Sequence, residues 1–170
     1  MQAPSKWAGI LLWQSPERHF YTVCSFAPLA QSIGPSREVL PLQVQTKRRT
    51  QLIDVTDEVA RVVLGSGVAS AVCFRYVPHT TAGILMNEHA DPDVASDAEG
   101  AFDRLVPDDP GYEHSEGNTD SHVKTMLTGV SQFVFIENGK LALGRWQGIF
   151  LAEFDGPKQR KICVKVQASD

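Results

Sequence analysis

The chain has 170 residues, 42% of them hydrophobic and 21% charged, with a formal net charge of −4, the composition of a single globular domain that can bury a core without staples. No window is apolar for long enough to cross a membrane, and residues 7–13 are too short and lack a cleavage site for a secretory signal, so a cytoplasmic protein with no membrane partner is expected. Three cysteines without metal spacing argue against a disulfide framework or a cysteine-zinc site, and eleven acids against one base between Glu88 and Asp120 make nucleic acid an unexpected partner.

Residues 1–38 carry scattered aromatics and four prolines without a sustained period, and read as an N-terminal extension ahead of a single domain over 39–170. Val39 to Thr46 alternates after Pro41 and predicts a first strand. The Lys47-Arg48-Arg49 triplet marks a turn before a short strand, Thr50 to Ile53. Asp54 or Thr56 can cap a helix with Val59, Val62 and Val63 on one face, stopped by Gly65 and Gly67. The apolar run 68–77 predicts a central, buried strand ending at Pro78-His79, and Ala82 to Asn87 the next, with Glu88 at its far end.

A second helix opens at Asp91 with Pro92 in its first position. Val94, Ala98, Ala101, Phe102 and Leu105 recur at helical spacing and leave Asp93, Asp97 and Asp103 to water. Pro107 ends it, and a short third helix is expected from Ser121 to Leu127, closed by Gly129. Strands follow over Gln132 to Glu137 and Lys140 to Leu143, joined by an Asn138-Gly139 hairpin turn, and then over Gly148 to Phe154 and Lys161 to Gln167. Strands arriving in hairpin pairs predict an α+β fold: two packed, mainly antiparallel sheets, as a sandwich or distorted barrel, with two main helices.

The segment 107–129 holds two histidines, a lysine and a helix start, with almost no core-forming residue before Val123. His79, His114 and His122 all lie outside core periodicity. Brought together, three imidazoles suit a divalent metal, zinc or magnesium, or acid–base work; kept apart, they are surface histidines. No helical spacing ties any two of them. Gly117-Asn118-Thr119-Asp120-Ser121-His122 enters the third helix, whose unpaired amides can grip a phosphate with Lys124 adding a charge, or which Asp120 or Ser121 simply caps. Glu88 can accept a proton or sit solvated at a strand end. Trp146 can stack on a planar ring while Gln147 bonds its edge, or fill the core. His89 and His19 read as surface residues.

Several short runs, in order, carry a family resemblance. They are His79-Thr80-Thr81-Ala82, Asn87-Glu88, Asp91-Pro92-Asp93, Val106-Pro107-Asp108-Asp109, His114, Glu116-Gly117-Asn118, Asp120 to Lys124, Glu137-Asn138-Gly139 and Trp146-Gln147-Gly148. Over about Gln43 to Val166 the chain resembles the YjbQ-type family of secondary thiamine-phosphate synthases. The resemblance implies a homotrimer of two-sheet subunits and a polar pocket lined by His79, Glu88, His114, Asn118, His122 and Gln147. It also implies a transferase that joins a pyrimidine pyrophosphate to a thiazole phosphate, giving thiamine phosphate and pyrophosphate. On that footing His79, Glu88, His114 and His122 are the expected catalytic residues, with His79, His114 and His122 as metal ligands. Thr80, Thr81, Gly117, Asn118, Asp120, Ser121, Lys124, Trp146 and Gln147 would meet a small phosphorylated molecule. The same residues would serve a non-catalytic metal- or phosphate-binding trimer, or a metal-dependent hydrolase with Glu88 as base. Two positions depart from the family pattern: Ser115 stands where an acid is common and Arg145 where a small residue is.

Overall fold

The computed structural model describes residues 39–168, so the expected extension over 1–38 lies outside the described residues. Eight strands and three helices follow in the order β1 (Leu40–Gln45), β2 (Gln51–Asp54), α1 (Thr56–Ser66), β3 (Ala71–Tyr76), β4 (Ala82–Glu88), α2 (Pro92–Leu105), α3 (Thr119–Thr128), β5 (Ser131–Glu137), β6 (Lys140–Leu141), β7 (Gln147–Glu153) and β8 (Gln159–Ala168). They form an α+β fold of two antiparallel sheets, ordered β1-β8-β3-β5-β6 and β2-β7-β4.

The core lies between the sheets and under α1. Val55, Val59 and Val63 meet Cys73, Val134, Ile136, Ile149, Leu151, Ile162 and Val164, all buried. The period-two alternation of β8, with Arg160, Ile162, Val164 and Val166 inward, supplies one wall. Gly67, at φ 66, ends α1 in the left-handed conformation that a side chain disfavours. Asn138 and Gly139, at φ 52 and 74, make the two-residue turn expected between β5 and β6.

Two expectations need correction. Strand β3 is central, but it is not buried on both faces: Phe74 and Tyr76 are exposed, while Arg75 between them is 1% exposed. Helix α2 is rotated from the face read in the sequence. Ala101 and Leu105 are exposed, and its one buried residue is Glu99. The Glu99 carboxylate takes both terminal nitrogens of Arg48, at 2.5 and 2.9 Å, and the Leu52 amide at 2.8 Å. A paired and fully hydrogen-bonded acid can occupy an interior position that an apolar count assigns to a hydrophobe. Asp103 is exposed, as expected, and on its inner side accepts from Thr50 and Lys124, both at 2.7 Å.

Candidate functional site

The β3–β4 connection and the outer side of α3 enclose an open groove of about 610 Å³. Tyr76, Val77, Pro78 and Val130 give it apolar walls, Met126 and Thr125 come from α3, and its polar groups are His79, Thr80 and His122. Close backbone approach makes this juxtaposition. A Cβ on Gly83 would stand 2.2 Å from Thr128 Oγ1 and 2.6 Å from the Gly129 carbonyl, so only glycine lets β4 meet the end of α3. The Ile84 amide then bonds that same carbonyl at 3.0 Å.

His79 is fixed in one tautomer. Its Nε2 accepts the Lys161 amide at 3.0 Å, so in the neutral ring the proton sits on Nδ1. Burial, then the neighbouring positive charges of Arg160 and Lys161 against Glu153, hold its pKa below the ordinary imidazole value. His122 packs edge-to-face against His114, with ring centroids 5.4 Å apart. Gly117, at φ 66, turns the loop back so that its amide bonds the His114 carbonyl at 3.0 Å. Two of the three predicted histidines therefore line one groove and the third stacks on its rim.

The residues expected to grip phosphate are used inside the protein. Helix α3 starts two residues earlier than predicted, so Lys124 lies beyond its first turn; Asp120, Ser121 and Lys124 occupy the packed face, with His122 and Met126 on the groove side. Lys124 Nζ is buried between Asp103 and Asp120, at 2.7 and 3.0 Å. Asp120 also accepts from Arg49 at 2.8 Å, and Ser121 Oγ donates to the Phe154 carbonyl at 2.5 Å. Asn118 does not cap the helix; its Nδ2 donates to Asp155 at 2.9 Å. Thr81 accepts from Arg160, whose guanidinium is bound to the buried Glu153. Asn118, Asp120, Ser121, Lys124 and Thr81 are thus joints between elements, and the cation assigned to a phosphate is already neutralised.

Glu88, Trp146 and Gln147 do not reach this groove within the subunit. Glu88 pairs with Gln147 at the end of β4 opposite Ala82, and six strand steps separate the two ends by about 20 Å. Trp146 is 56% exposed, so it is not core filler, and Arg145 lies over its ring at 5.4 Å. Gln147 Oε1 folds back to accept the Gly144 amide at 2.8 Å. The three histidines do not fit a metal in this arrangement either. Among the described residues no three His, Cys, Asp or Glu side chains are placed to hold one ion, and His79 Nε2 is occupied by a backbone amide. No helix of the described residues is long and apolar enough to cross a membrane.

Two antiparallel sheets with three helices, and a histidine-lined groove where β4 meets α3, define an α+β class of protein. The chain belongs to the family described as UPF0047 protein YjbQ-like, which matches residues 41–169. It is 46% identical over 126 residues to the UPF0047 protein YugU of Bacillus subtilis, covering 74% of this chain and 96% of that one. To a UPF0047 protein of Methanocaldococcus jannaschii it is 45% identical over 124 residues, covering 73% and 90%. A crystal structure of a YjbQ/UPF0047 family protein from Clostridium acetobutylicum superimposes with a TM-score of 0.74 at 47% identity, covering 75% of this chain and 99% of that one. A YbjQ-like protein of unknown function from Sulfolobus solfataricus gives 0.74 at 30% identity, covering 78% and 97%.

These relatives correct the expected activity. They are named only as UPF0047 or YjbQ-type proteins, and one of them explicitly as of unknown function. The thiamine-phosphate synthase role has no support among them, nor do the metal- or phosphate-binding and hydrolase alternatives read from the same residues. The paired state of Lys124 removes the physical ground for the phosphate reading as well.

Proposed function

We propose that the His79–His122 groove is an acid–base site, hence an enzyme's, for a small organic molecule with an apolar body and a carbonyl or carboxylate end. The fixed tautomer of His79 is the observation that carries this reading. With Nε2 taken by the Lys161 amide, Nδ1–H is the ring's remaining group and is a donor, beside the positive charges of Arg160 and Lys161. An acceptor end is favoured there, and the walls of Tyr76, Pro78, Val130 and Met126 suit an apolar body. His122 supplies a second imidazole that can take or return a proton. Benzoate followed through the imidazole signals of the full chain tests this. Saturable shifts at His79 and His122 are expected, with the His122 response weakened roughly tenfold in His79→Phe. Shifts that map elsewhere, or that survive in His79→Phe, would overturn it.

We further propose the homotrimer that the resemblance implies, assembled through the outer face of the larger sheet. Phe74, Tyr76, Phe133 and Phe135 stand exposed there, with Phe74 opposite Phe133 in register. A contiguous aromatic patch of this kind marks an association surface. Light scattering should give three copies for the native chain and fewer for Phe133→Glu; a monomeric native protein refutes it.

A further inference from the structure

A second recess, of about 330 Å³, lies between β2 and α2, over Leu52 and Phe150, and its polar lining includes Arg48, Asp54, His89, Asp91, Ser96 and Glu99. Most of those groups are engaged. Glu99 is saturated by Arg48 and Leu52, one oxygen of Asp91 caps α2 through the Asp93 amide, and Asp54 Oδ1 accepts from the amide and hydroxyl of Thr56. The other oxygen of Asp54 stands 2.9 Å from His89 Nδ1.

That contact fixes the imidazole. Burial pushes the Asp54 carboxyl up, but the hydrogen bonds from Thr56 and His89 outweigh it and hold the group below the ordinary carboxylate range. An ionised carboxylate only accepts, so Nδ1 is a donor, and the neutral tautomer this selects offers Nε2 as an acceptor. The ring is also seated: a Cβ on Gly148 would come within 2.6 Å of it, and the His89 amide donates to the Trp146 carbonyl at 2.9 Å. A histidine that reads as a surface residue is therefore oriented on two sides.

We propose that Asp54 and His89 form a second ligand site, a hydrogen-bonding dyad for a small amino alcohol. Charge selects the class. Asp54, Asp91 and Glu99 face one guanidinium, Arg48, so an anion is repelled, whereas an ammonium is drawn to the remaining Asp91 oxygen and a hydroxyl can donate to Nε2. Nε2 accepts the hydrogen bond of the ligand hydroxyl while Asp54 holds the ring in the orientation that presents that nitrogen, so the pair binds the ligand without a proton changing place. The site is independent of the His79 groove.

Ethanolamine, titrated into the full chain and followed through the His89 ring by NMR, tests it. The free protein should show the Nδ1–H tautomer, His89 should shift saturably with ethanolamine, and inorganic phosphate should leave it unmoved. Asp54→Asn keeps an oxygen for Thr56 but offers an amide N–H to Nδ1, moving the ring proton to Nε2; the ethanolamine response should weaken roughly tenfold or more. His89→Gln leaves Asp54 free to accept from Thr56 and should abolish ethanolamine binding, read from the ligand's own signals. An Nε2–H tautomer in the native protein, no ethanolamine response at His89, a stronger response to phosphate, or undiminished binding in both dyad variants would each overturn the proposal.

Discussion

Arg75 gives the sharpest test of how this fold is held together. Its guanidinium is 1% exposed, Nε and Nη1 have no partner among the described residues, and Nη2 reaches only the Met86 sulfur at 3.5 Å. Burial lowers its pKa, with Cys73 opposing, yet a guanidinium stays charged in proteins. A desolvated ion costs several kcal/mol when no counter-charge offsets it, and exchanging such groups for apolar ones of similar volume stabilises by about 1–4 kcal/mol. Arg75→Met keeps the length of the side chain and removes the charge, so a gain of about 2 kcal/mol is expected, or roughly 4–8 °C in Tm for a chain of this size. Arg75→Ala also removes the charge but opens a cavity, and should be the less stable of the two. Urea unfolding at fixed protein concentration, with an unchanged m-value, measures both. If Arg75→Met destabilises by about 1 kcal/mol or more, the guanidinium has a partner and the reasoning fails.

Lys124→Met should cost about 3–5 kcal/mol in the same assay, because it leaves the buried Asp120 short of a counter-charge; a loss below about 1 kcal/mol would show that Arg49 alone suffices. Gly83→Ala drives a methyl into Thr128 and the Gly129 carbonyl, so a loss of about 1–3 kcal/mol and a displaced His122 signal are expected. Burial raises the Asp103 and Asp155 carboxyls, but hydrogen bonds from Lys124 and Thr50 to the first, and from Lys158 and Asn118 to the second, leave both below the ordinary range. Groups lowered on folding give stability that is present above the unfolded carboxylate pKa and lost as pH falls through the folded values, and Asp155→Asn should flatten that acid limb. His79 is lowered too. The unfolded ring binds a proton first, so stability should decline as pH drops below about 6.5 and level off beneath the folded value, a slope that His79→Phe removes.

The hairpin at Asn138-Gly139 was legible because the turn demands positive φ at both positions, and α1 because its valines share a face while Gly67 ends it. Helix α2 misled because Glu99, not an apolar residue, fills its buried position. Lys124 was misread because α3 starts two residues earlier, which takes it out of the first turn, and because its partner Asp103 lies on another helix. The distance from Trp146 to His79 depends on how β4 pairs with β7, which no local pattern encodes. His89 lacked any signal of its own, since its partner Asp54 lies on another strand.

Strand β8, the last of the described strands, is slotted between β1 and β3 in the larger sheet. Until residues 159–168 have emerged from the ribosome, β1 has no neighbour and β3 leaves a row of peptide groups bare. A nascent chain therefore exposes two open edges until β8 has been made, the condition in which edge-to-edge aggregation begins. A stop codon ahead of Gln159 should yield insoluble polypeptide rather than a shortened, partly functional protein.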